Sequence, residues 1–193
     1  MPSLLKLSFI VTVALLSLSA SAGSDHHDHG HHSHDEHNHE QKAHVHGVSQ
    51  MELAIGDNLV EIQFDSPANN IVGFEHTAKT EKDIKVVNQA KTTLGQPDTL
   101  FRFKGTSCKP LSTQINVLGL LDNHKHNHRE SSHKEISAHY RFKCDSTDEL
   151  TSIQFELINQ FPNISEIRTQ WISESNQGMV VLTQKNHQLG FGG

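Results

Sequence analysis

Ten of the chain's seventeen histidines fall in one stretch, GSDHHDHGHHSHDEHNHEQKAHVHG, from Gly23 to Gly47. Eight of these, His26, His27, His29, His31, His32, His34, His37 and His39, alternate with Asp, Glu and other small polar residues. Neutral imidazole suits zinc, copper and nickel, and zinc takes about four N, O or S donors in a tetrahedron. The HH, HxH and HxxH spacings offer many overlapping donor sets, and each set must be ordered to bind, at a cost in conformational entropy. The expected result is several weak, exchangeable sites for Zn(2+), with copper binding more strongly in the test tube. A second run, DNHKHNHRESSHKE from Asp122 to Glu135, repeats the chemistry with His124, His126, His128 and His133. A solvated, pH-sensitive polar tail is the plain alternative. Two such runs in one chain argue against chance.

A tighter site needs residues that a fold can hold in place. His44 and His46 stand two apart in HVHG, and on a strand they share a face. His76 follows Glu75 in VGFEH, just before a helical stretch. The plain reading of that pair is a helix-entry segment making hydrogen bonds. His139, in EISAHYRF, falls on the polar face with Ser137 and Arg141, where it is either a ligand or a solvated side chain. His187, in TQKNHQLGF, has no histidine neighbour and reads as ordinary surface. A zinc hydrolase needs three fixed ligands, an open position and a general base. The chain has no HExxH and no nucleophile elbow, so no catalysis is expected.

The elements that must position these residues follow a leader. MPSLLKLSFIVTVALLSLSASA has Lys6, an apolar core from Leu7 to Leu18, and small residues at Ala20 and Ala22, the pattern of a secretory signal peptide cleaved after Ala22. Its apolar core of about 12 residues is short of the roughly 20 that a spanning helix needs. An exported mature chain is expected, in the periplasm if the source is Gram-negative. Residues 23–43 have too little apolar surface to offset ordering and read as a disordered tail. Residues 44–193 read as one β-rich domain, interrupted by the histidine-rich loop 122–135.

Within that domain, Val48 to Ile55, the turn signal GDN, and LVEIQFD form a hairpin with one buried face. TLFRFKG, TQINVLGLL, EISAHYRFKC, SIQFELINQF, ISEIRTQWIS and GMVVLTQ follow as strands. Their period-two alternation predicts a mainly β, α+β domain, an antiparallel sheet or sandwich with one wet face. One amphipathic helix interrupts it. Thr80 is its N-cap, with Asp83 three residues on; Ile84, Val87, Ala90 and Leu94 form its stripe, and Gly95 and Pro97 stop it.

Cys108 and Cys144 are the two cysteines. An even count in an exported chain favours a disulfide, which closes a loop of about 37 residues and contributes roughly 4 kcal/mol in the chain-entropy model. Two thiolate ligands are the rival reading. The formal net charge is −6 with neutral histidines, and loss of Lys6 with the leader makes it one unit more negative. With no basic stripe to release phosphate counterions, nucleic-acid binding is not expected. Nor is membrane insertion of the mature chain.

HVHGVSQMELAI, then FDSPANNIVGFEHTAKTEKD, the paired cysteines around a histidine-rich loop, QFPNISEIRTQWIS and the closing GMVVLTQ together resemble the ZrgA-like family of zinc-regulated proteins. The resemblance covers about His44 to Phe191, and SPANNIVGFEH is its most specific piece. It implies a β-rich periplasmic zinc-binding domain, made under zinc starvation, that assists a zinc-importing ABC transporter. Carried onto this chain, it implicates His44, His46, Glu75, His76, the cysteine pair and the loop histidines. The expected partner is the transporter's periplasmic solute-binding protein. Storage or detoxification of zinc, copper or nickel is the alternative. A structural or adhesive domain with incidental histidines is a further one.

Overall fold

The computed structural model of the chain describes residues 45–121 and 134–191. The leader, the tail histidines, His44 and the loop histidines lie outside the described residues.

Val48–Gly56 (β1) and Leu59–Pro67 (β2) pair antiparallel, with Met51, Leu53, Ile55, Val60, Ile62 and Phe64 all buried. Asp57 and Asn58 close the hairpin at φ 51° and 58°. Two positive φ values define the type I′ turn, which suits Asp and Asn and matches the twist of the flanking strands. The chain continues through Ala68–Val72 (α1), Glu81–Leu94 (α2), Pro97–Leu100 (α3), Phe101–Lys104 (β3), Cys108–Asn116 (β4) and Leu118–Leu121 (α4). After the histidine-rich segment come Glu135–Cys144 (β5), Ser152–Phe155 (β6), Leu157–Gln160 (α5), Glu166–Ser173 (β7), Gln177–Leu182 (β8) and Gln188–Gly190 (β9).

The strands form a six-stranded sheet, ordered β4-β5-β2-β1-β7-β8, and a three-stranded sheet, ordered β3-β6-β9. The mainly β expectation holds, with one difference. β1 and β7 run parallel, from Val48 beside Glu166 to Ile55 beside Ser173, so the large sheet is mixed. Period-two alternation records which face a residue occupies and is silent on strand direction.

The core lies between the inner face of the large sheet and a layer made of α2 and the small sheet. Ile136, Ala138, Tyr140 and Phe142 point inward from β5. Phe101 sets its edge against Tyr140 at 4.9 Å and Phe142 at 5.7 Å, which joins the two sheets. The buried Tyr140 hydroxyl donates to the Leu94 carbonyl at 3.0 Å and ties β5 to the end of α2. The helix forms where its signals predict: Thr80 Oγ1 accepts from the Asp83 N–H at 3.1 Å, and Val87, Ala90 and Leu94 are buried, but Ile84, the first residue of the expected stripe, is exposed.

Two segments read as strand turn helical. Of TQINVLGLL, the last residues form α4, with Val117 and Leu120 buried at a spacing of three. Of SIQFELINQF, Leu157, Ile158 and Phe161 are buried at helical offsets around α5. Cys108 and Cys144 are directly opposed in the β4–β5 register and form a disulfide, which removes the thiolate-ligand reading.

Candidate metal centre

The turn before β1 presents the first candidate ligand. The described residues of this stretch, from Val45 on, are not strand: His46 and Gly47 lie in a turn closed by the Val48 N–H donating to the Val45 carbonyl at 3.0 Å, and β1 starts only at Val48. The strand on which His46 was expected to lie is therefore absent at His46, while His44 lies outside the described residues. The reason is Gly47, which sits at φ 85°, a left-handed conformation that interrupts a strand and that L side chains rarely adopt.

Asn70, buried at 1% exposure, clamps this turn. Its Oδ1 accepts from the Gly47 N–H at 2.7 Å, and its Nδ2 donates to the Val48 carbonyl at 3.0 Å. From the other side, the Gly47 carbonyl accepts from the Ser165 N–H at 2.8 Å and the Ser165 hydroxyl at 2.8 Å. A Cβ on residue 47 would stand 2.7 Å from Ser165 Oγ. The turn that aims His46 is thus fixed by two distant segments.

α1 delivers the second candidate ligand. It ends at Gly73, at φ 83°, whose N–H donates to the Asn69 carbonyl at 3.0 Å. This left-handed cap turns the chain into Phe74, Glu75 and His76. Glu75 Oε1 then lies 2.9 Å from His46 Nε2, with the histidine side chain 59% exposed and the carboxylate 18%. Tetrahedral zinc holds its N and O donors about 3.3 Å apart. Exchanging this hydrogen bond for a bridging ion therefore needs an opening of only a few tenths of an ångström.

His76 is exposed and stacks on Phe74, with ring centroids 4.5 Å apart. Its Nδ1 donates to the Thr77 carbonyl at 3.1 Å. A carbonyl only accepts, so the proton sits on Nδ1 and the neutral ring keeps the Nε2 lone pair for a metal. Backbone carbonyls commonly fix metal-binding histidines in this way.

The described ends of the histidine-rich loop are tied to the same stretch of chain. The Ala78 N–H donates to the Leu120 carbonyl at 2.8 Å, one residue before α4 ends. The Ala68 N–H donates to the Lys134 carbonyl at 2.8 Å, immediately after His133. The disulfide is at the other end of the β4–β5 ladder from Asn116 and Ser137, the last pair before the loop. These two backbone bonds lie closer to the loop's ends than the disulfide does.

His139 has different company. It is half-exposed on the outer face of the large sheet, with its Nε2 3.9 Å from Glu61 Oε2. Arg141 donates to the other oxygen of Glu61 at 2.7 Å, so a cation there competes with a guanidinium. An open groove of about 640 Å³ includes His139, Glu61, Glu52 and Met179 but neither His46 nor Glu75. His187 uses both ring nitrogens, donating from Nδ1 to the Gln184 carbonyl and accepting from the Gln154 amide. Among the described residues no three His, Cys, Asp or Glu side chains gather closely enough to hold an ion. The described part of the candidate centre is the His46–Glu75 pair, with His76 next in the chain.

Asn70 and Ser165 were not singled out by type or spacing. Neither residue has a metal-ligand role of its own to declare; the signal for them is that they lie in SPANNIVGFEH and QFPNISEIRTQWIS, two of the stretches that carry the family resemblance.

The β-rich domain thus presents one imidazole–carboxylate pair, in a chain that also carries histidine-rich segments. Residues 43–191 match the profile of the family described as ZrgA family zinc uptake protein. The chain belongs to that family, and a role in zinc uptake follows. No curated protein matches the chain.

Proposed function

We propose that the protein is a periplasmic accessory that captures Zn(2+) and passes it to the solute-binding protein of a zinc ABC transporter, without catalysing a reaction. The observation that carries this reading is the His46–Glu75 pair, held 2.9 Å apart on a clamped turn. The family's zinc uptake role supplies the cargo. Export is supported by the leader pattern and by the disulfide.

In this reading His46 and Glu75 are the first two donors, and His76 and His44 are the next candidates. The tail and the loop raise the local zinc concentration, and the loop's anchoring beside residues 68–78 directs that supply to the pair. Exchangeable imidazoles let the ion leave as readily as it arrives.

A zinc titration against a competing chelator tests this. It uses the mature chain, versions lacking residues 24–43 or 123–133, and the variants H46A and E75Q. One tight site is expected to survive both deletions, with the stoichiometry lowered. H46A and E75Q should each weaken it by at least the roughly 10–100-fold typical of losing a partner around a metal. Loss of all binding on deletion would move the working part to the histidine-rich segments. Loss of the protein should slow growth under a chelator; a defect only in excess metal would favour storage.

A further inference from the structure

The large sheet has two edges, and they are built differently. β4 is blunted: exposed Lys109 and Pro110 lie on it, and the register slips between Pro110 and Ser112 around exposed Leu111. Charges, proline and bulges are the usual protections against edge pairing. β8 has none of them. Its six residues, QGMVVL, carry no charge and no proline, and its pairing with β7 runs without a slip from Ile172–Gln177 to Ile167–Leu182. Among the described residues β7 is its one sheet neighbour.

The strand also presents apolar side chains to solvent. Met179 is 76% exposed and Val181 48%, two residues apart on the outer face, and Ile172 on β7 adds a third at 53%. Val180 and Leu182 turn inward, so the outer apolar row is not a misplaced core face.

We infer that β8 is the self-association edge of the protein, pairing antiparallel with β8 of a second copy to join two six-stranded sheets into one. A two-fold interface sets each residue beside its own equivalents, so a charged strand repels itself and a neutral one does not. β8 is neutral along its whole length. Its flanks are complementary: exposed Glu174 precedes it and exposed Lys185 follows it. Antiparallel self-pairing brings the start of one strand to the end of the other, and with it opposite charges, twice.

A two-fold axis normal to the sheet preserves faces, so the paired residue numbers must have an even sum. Centring on Val180 pairs it with itself and sets Met179 against Val181 of the second copy, which covers both exposed side chains. Once the two β8 edges meet, the remaining edges of the joined large sheet are the blunted β4 strands, so that sheet closes at two copies. Six residues span about 20 Å, which puts the contact at the small end of specific interfaces. Self-association in the micromolar range is expected.

Sedimentation equilibrium of the mature chain over that range tests the inference, alongside M179K/V181K and M179E/V181E. Wild type should approach twice the monomer mass. Each variant should stay monomeric while keeping its melting temperature and zinc stoichiometry, because both side chains are exposed in the single chain. An equimolar mixture of the two variants should recover the dimer, since lysine then faces glutamate. Wild type that stays monomeric throughout overturns the inference, as does a dimer that both variants preserve or a mixture that fails to reassociate.

Discussion

Much of the candidate centre rests on the amide side chain of Asn70, which uses its carbonyl on Gly47 and its N–H on Val48. N70A would take away the Asn70 partners of the part-buried Gly47 N–H and Val48 carbonyl. That costs about 1–3 kcal/mol for each group that water cannot reach. It would also free the turn that points His46 at Glu75, so zinc affinity should fall roughly 10–100-fold, as for other supports of metal ligands. A melting curve and a competition titration on the same sample check both. Unchanged affinity in a destabilised variant would show that the turn is held without Asn70. The sequence made His46, Glu75 and His76 visible because imidazole and carboxylate declare their chemistry. It could not show that Glu75 meets His46 across 29 residues, or that Ser165 supports Gly47 across 118. Those distances are closed by the sheet, not by local spacing.

At the scale of elements, legibility followed the strength of the local signal. α2 was readable because a side-chain cap and a 3.6-residue stripe agreed, and β1, β2 and β5 because alternation ran unbroken. α4 and α5 were not, since four-residue apolar helices offer too few turns to separate helix from strand. β9 is three residues long and left no pattern. The contact between α2 and β5 yields a pH prediction. Burial raises the pKa of Tyr140, whose hydroxyl donates to Leu94. An unfolded tyrosine has a pKa of about 10. Below that pH both states keep the proton and stability is unaffected; above it the unfolded chain releases its proton first, so stability falls as pH rises. Y140F should cost about 1 kcal/mol at neutral pH through the lost hydrogen bond and should flatten the alkaline decline. Urea midpoints at neutral and strongly alkaline pH check this. Tyr140 is the chain's single tyrosine, so near-ultraviolet absorbance follows its ionisation directly. An equal alkaline decline in Y140F would assign the loss to other groups.

Across the whole molecule, the disulfide and the candidate centre lie on different parts of the fold. The disulfide joins residues 36 apart at the far end of the β4–β5 hairpin from the histidine-rich loop. The centre is framed instead by the turn before β1, by α1 and by Ser165 before β7. C108S/C144S should therefore lose up to roughly 4 kcal/mol of stability without losing the site. Zinc binding to the folded chain alone stabilises it, by about 2.7 kcal/mol when free metal exceeds Kd a hundredfold. That increment should be the same in wild type and in C108S/C144S, although the variant starts from a lower melting temperature. Thermal unfolding of both, with and without zinc at matched free-metal concentrations, separates the two contributions. Equal increments mean that capture tolerates a loosened hairpin, as expected where two backbone hydrogen bonds, at Ala68 and Ala78, anchor the loop. An increment lost together with the disulfide would mean that the hairpin's order reaches the centre, and that oxidation of the exported chain is a condition for holding zinc.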